Sequence, residues 1–116
     1  YGWLAVAFLL LGVSRLTGAV PQSAALHALT AGAIGTMTLA VMTRASLGHT
    51  GREIVADRAT VAIYLAVTAG AVLRVLAPFA GDRYAIVLGC GGALWSAAFL
   101  LFALRYAPIL WGPRAT

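Results

Sequence analysis

Four long apolar runs separated by short polar breaks make up the chain, and within each run the apolar residues follow one another rather than alternate. A helix needs about 20 such residues to cross about 30 Å of hydrocarbon. The runs cover residues of about 2–20, 23–43, 59–77 and 84–104. A lipid-exposed sheet would have to close into a barrel of alternating strands, which continuous runs do not supply. The pattern predicts an all-α membrane protein, an antiparallel bundle of four transmembrane helices in one domain over residues 1–116. Short links around Pro21 and Ala80 make sequential neighbours antiparallel. The long loop is 44–58, RASLGHTGREIVADR, which holds five of the eleven charges. Ser23, Asp57 and Asp82 stand where N-caps would open the second, third and fourth helices, and Pro21, Pro78 and Pro108 fall where helices should have ended.

Composition sharpens this. Hydrophobic residues are 62% and charged residues 9%, against about 25% charged in an ordinary soluble domain. Eleven charged side chains could not coat a soluble domain of this length, so water is not the main solvent. The formal charge is +5, but the arginines are scattered singly at the ends of apolar runs, a membrane pattern that excludes a nucleic-acid partner. With an even number of crossings, Arg44, Arg52, Arg58, Arg105 and Arg114 lie on one side, and Arg15, Arg74 and Arg83 on the other. That balance places the long loop in the cytoplasm. Trp3, Tyr106 and Trp111 on the loop side and Tyr84 on the other are expected in the aromatic belts. A single cysteine, Cys90, excludes an intrachain disulfide or a CxxC site. No basic leader marks a cleavable signal peptide, and the apolar start at Tyr1 is that of a piece of a longer polytopic protein.

Few residues offer chemistry. His27 lies one turn into the second run, where an imidazole must face protein, water or a metal. On a period of 3.6 it shares a face with Ala31, Ile34 and Thr38, and Ala28, Gly32 and Gly35 nearby would let a helix or a flat ring approach closely. Arg15 precedes Pro21 by six residues and Arg74 precedes Pro78 by four, which puts both roughly 6 to 9 Å inside their helix ends. Antiparallel order brings them to the depth of His27. One imidazole and two guanidiniums on three helices would suit a haem, with the iron on His27 and the propionates on Arg15 and Arg74. Alternatively, His27 hydrogen-bonds a neighbouring helix and each arginine snorkels to the headgroups. His49, in LGHTGR, is 22 residues from His27, about 33 Å along a continuous helix, so the two cannot ligate one ion from their own segment. It is a second metal ligand or a solvated loop residue. Met37 and Met42 diverge around a helix, and Cys90 with Gly92 and Ser96 forms a small-residue patch suited to helix contact. No P-loop, GxSxG, HExxH or paired carboxylates exist, so hydrolytic chemistry has no candidate.

The ordered segments HAL, GAIGTMTLAVMTR and LGHTGR, ending at Arg52, resemble the signature region of the NnrS family of bacterial inner-membrane proteins associated with denitrification and the nitric oxide response. His27, Arg44, His49 and Arg52 fall on motif positions. The resemblance implies a multi-pass inner-membrane protein containing haem and copper that protects against nitrosative stress, with nitric oxide as a possible ligand. It also implies that upstream transmembrane helices of the same protein partner these four. Arg44 and Arg52 gain no defined role from it, and whether the protein is an enzyme is left open. A small transporter and a structural or assembly subunit without cofactor are the competing function classes.

Overall fold

The computed structural model describes residues 2–114. It is helical throughout, with α1 at Gly2–Thr17, α2 at Gln22–His49, α3 at Arg58–Leu76 and α4 at Tyr84–Trp111. The expected all-α, four-helix architecture is present. By length and composition α2, α3 and α4 could each cross a membrane, whereas α1 has 16 residues, about 24 Å of helix. Their outer faces are apolar: Leu9 is 69% exposed and Ile86 68%, which only a lipid surround or further helices would tolerate on this scale.

Several helix ends differ from those expected. The loop read as 44–58 is shorter, because α2 continues through Arg44 to His49. It stops in a Schellman arrangement. Gly51 takes φ 74°, its N–H donates to the Gly48 carbonyl, and the Arg52 N–H donates to the Leu47 carbonyl at 2.8 Å. A residue with a Cβ would resist that left-handed φ. At the other terminus of α2, Pro21 rather than Ser23 occupies the cap and no side chain caps it. Asp82 likewise caps nothing; it lies in a short 3-10 turn, Gly81–Arg83, ahead of α4. Asp57 does cap α3, accepting from the Thr60 N–H at 2.8 Å. Pro108 sits inside α4 rather than beyond it.

The helices pack in two zones. Near the 50–57 loop, Leu39, Ile63, Val67, Ala98 and Tyr106 bring α2, α3 and α4 together. At the opposite end Ala7, Ala24, Ala28 and Val75 join α1, α2 and α3. Among the described residues α1 lies mainly against the Gln22–Ile34 half of α2, and its Trp3 indole sits directly over Gly32. Trp3 therefore packs at mid-helix depth rather than in an aromatic belt. Tyr106 is not in a belt either: it is 1% exposed, and its hydroxyl pairs with Thr60 Oγ1 at 2.6 Å. A second such pair, Thr43 Oγ1 with Tyr64 OH at 2.6 Å, ties α2 to α3.

Candidate cofactor site

α2 is not a regular helix. Residues Ala28–Ile34 adopt a π-helical turn that starts immediately after His27. The His27 side chain is fixed locally, with Nδ1 2.6 Å from the carbonyl oxygen of Ser23 one turn earlier. A carbonyl only accepts, so Nδ1 carries the proton and donates, and in the neutral imidazole Nε2 is left as the lone-pair nitrogen. That is the arrangement in which a backbone carbonyl sets the tautomer of a metal-binding histidine.

His27 lines a cavity of about 680 Å³ between α2, α3 and α4. This is within the range of about 300–1,000 Å³ typical of cofactor pockets. Ala31, Ile34 and Thr38 line the same cavity, although the π-helical turn between His27 and Gly35 interrupts the 3.6-residue period that would put them on one face. Arg74 enters from α3 and Leu88, Trp95 and Phe99 from α4. The walls are apolar apart from a few groups, and one of those is incomplete: Arg74 Nη1 is buried with no hydrogen-bond partner. A buried guanidinium nitrogen without an acceptor is costly, and an anionic group offering oxygen atoms would satisfy it.

The cavity exists because the helices meet through glycine. A Cβ on Gly70 would lie 2.7 Å from Trp95 N and 2.8 Å from Gly91 O, and one on Gly35 would lie 3.0 Å from Trp95 Nε1. Trp95 thus fills the crossing of three helices. Its Nε1–H donates to the Ala31 carbonyl at 3.1 Å, and its ring is tilted against Phe99 with centroids 4.6 Å apart. Sequence reasoning missed Trp95. The available signal was a tryptophan in the middle of an apolar run rather than at its end, where the indole N–H must find a partner inside the protein.

Of the three groups expected at one depth, two meet in this cavity. Arg15 does not line it: it is exposed in the last turn of α1, the helix that covers the Ala25, Leu26 and Leu29 side of α2. His49 is exposed at the far terminus of α2. Arg44, also exposed, borders a separate cavity of about 200 Å³ shared with Thr43, Thr60, Tyr64 and Tyr106. Arg52, half-buried in the loop, leaves Nη1 buried and unpaired. Asp57, beside these groups, bonds Arg105 through Oδ2, with Arg105 Nε at 3.0 Å. Hydrogen bonding from the Thr60 backbone N–H, then from Arg105 and the Thr60 hydroxyl, lowers the Asp57 pKa to about 2.

A family model described as NnrS protein matches residues 1–114. The chain belongs to the NnrS family. Neither the curated proteins nor the solved structures compared with it give a match. The NnrS match extends well beyond the motif segments on α2 and its following loop, and takes in α1, α3 and α4, including the α3 and α4 residues that line the cavity.

The two metals that NnrS resemblance implies fare differently against the residues present. For haem, an apolar cavity, an imidazole with Nε2 free and a half-buried arginine with one unpaired guanidinium nitrogen form a fitting donor set. For copper, the described residues contain no group of three His, Cys, Asp or Glu side chains able to hold a metal. His49 contributes a single imidazole, so these residues do not by themselves fit a copper site.

Proposed function

We propose that this NnrS-family chain is a haem-binding membrane segment acting in the nitric oxide response and in protection against nitrosative stress during denitrification. The observation that carries the reading is His27 in the cavity with Nδ1 committed to Ser23, together with Arg74, which lines the same cavity and has one buried nitrogen without a partner. His27 Nε2 would be the iron ligand and Arg74 would hold a propionate through paired N–H donors. The group supplies an iron coordination position at which a small diatomic ligand binds. The chain's own residues do the rest: the Ser23 carbonyl keeps the imidazole in the ligating tautomer, and Ile34, Leu88, Trp95 and Phe99 exclude water. A neutral, lipid-soluble ligand such as nitric oxide needs no polar channel to reach such a site. The arginine count supports placing the 50–57 loop on the cytoplasmic side, and the family resemblance supports the bacterial inner membrane as the location.

The test is spectroscopic, on the full-length protein in membranes. A Soret band is expected in the parent and is strongly weakened in His27→Ala. No Soret band in the parent would sink the haem reading, and an unchanged spectrum in His27→Ala would remove that residue as ligand. Nitric oxide titration with and without an electron donor then separates reduction from sequestration or sensing, since binding without turnover supports the latter pair. Two other function classes predict differently. Proton-coupled export needs a carboxylate within a span, and Glu53, Asp57 and Asp82 all lie in loops, caps or turns. A purely structural subunit predicts that replacing His27 and Arg74 alters no ligand binding.

A further inference from the structure

The π-helical turn departs from α-helical bonding at a definable point. The Gly35 N–H is shared between the carbonyls of Thr30 and Gly32 and passes over Ala31, which would be its acceptor in an unbroken α-helix. The Ala31 carbonyl accepts instead from Trp95 Nε1. Inside an apolar bundle neither the carbonyl nor the indole N–H is easily left without a partner. Trp95 itself has little room to move, wedged between Gly35 on α2 and Gly70 on α3 and resting on Phe99.

This bond has a consequence for His27. A turn closed over five residues wraps one more residue than a turn closed over four, so the helix before it is rotated against the helix after it by about one residue's step, roughly 100°. His27 precedes the turn, while Gly35 and Thr38 follow it. The geometry points to Trp95 as a positioning residue that, by holding the Ala31 carbonyl, keeps the π-helical turn and so sets the angle at which the His27 imidazole enters the cavity that Arg74 also lines. The inference rests on the proposal that His27 Nε2 ligates iron. Without the indole donor, the Ala31 carbonyl takes back the Gly35 N–H, the turn relaxes toward α-helical register, and His27 swings around the helix axis relative to Arg74.

The experiment compares full-length parent and Trp95→Phe in lipid nanodiscs by two independent readouts. The first is amide hydrogen exchange over residues 28–36, which needs no haem. The loss of one buried hydrogen bond is expected to accelerate exchange there by roughly 2- to 12-fold. The second is the Soret position and the low-spin electron paramagnetic resonance signal, both expected to shift while haem occupancy is retained. Exchange as slow as in the parent overturns the inference, and so does faster exchange with an unshifted spectrum. If Trp95→Phe fails to fold, Gly35→Ala decides by the same two readouts, because its Cβ would press on Trp95 Nε1 from 3.0 Å and displace the indole. A parent without a Soret band sinks the haem reading itself. A normal parent band with an unshifted Trp95→Phe spectrum sinks the positioning role alone.

Discussion

The crossing of α3 and α4 at Gly70 gives the most direct measure of whether the cavity is built as described. Replacing Gly70 with alanine would put a methyl group 2.7 Å from Trp95 N, 2.8 Å from Gly91 O and 2.9 Å from Trp95 Cβ. Two of these atoms are backbone, so no rotamer change relieves the contact and the helices must separate. Overpacking of this kind costs about 1–3 kcal/mol. With two backbone contacts the upper figure applies, less about 1 kcal/mol gained by replacing glycine within a helix. The net loss is about 2 kcal/mol, roughly a 30-fold fall in the folded-to-unfolded ratio. Gly92→Ala is the matched control, since a Cβ there meets nothing within 4 Å. Unfolding of the purified protein in mixed micelles, titrated with a denaturing detergent, reads both. The expected result is a clear loss for Gly70→Ala and none for Gly92→Ala. Equal stability of the two variants would refute the glycine-mediated crossing and the placement of Trp95 with it.

Further expectations concern the loop end. Because the Asp57 pKa is lowered to about 2 from 3.8, its stabilising contribution is fully present above about pH 4 and is lost as pH falls through about 2; an acid titration of α3 helicity followed by hydrogen exchange checks the window. The exposed Asp57–Arg105 pair itself is worth little at the surface, so Arg105→Gln should change stability far less than Asp57→Ala, which also removes the cap and costs about 1 kcal/mol. Tyr106→Phe deletes a buried hydroxyl from the pair with Thr60 and should cost about 1 kcal/mol, measurable in the same detergent titration.

The sequence revealed the number of helices and put His27 and Arg74 at one depth, where both line one cavity, because depth in a bundle can be counted from helix ends. It did not reveal the fate of Arg15. Counting fixes height along a helix but not which side of the bundle a side chain faces, and α1 turns out to cover another side of α2. Polar residues 44–49 looked like loop because hydropathy marks where hydrocarbon would end, not where a helix ends; α2 continues until Gly51 reverses the chain. Pro108 was expected outside α4 because it lacks an N–H to donate, yet Ile109, on its C-terminal side, is still packed into the core. The π-helical turn has no compositional cue, and Trp95, whose indole answers it, went unread.

The polar ties between helices are unevenly distributed. Among the described residues, the Thr43–Tyr64, Thr60–Tyr106 and Asp57–Arg105 bonds all lie toward the loop, and Trp95–Ala31 sits farther in. Beyond Trp95, at the His27 end, the helices touch through side chains such as Ala24, Ala28 and Val75. One tip of the bundle is therefore riveted by directional bonds, while the other is held by the fit of small apolar side chains.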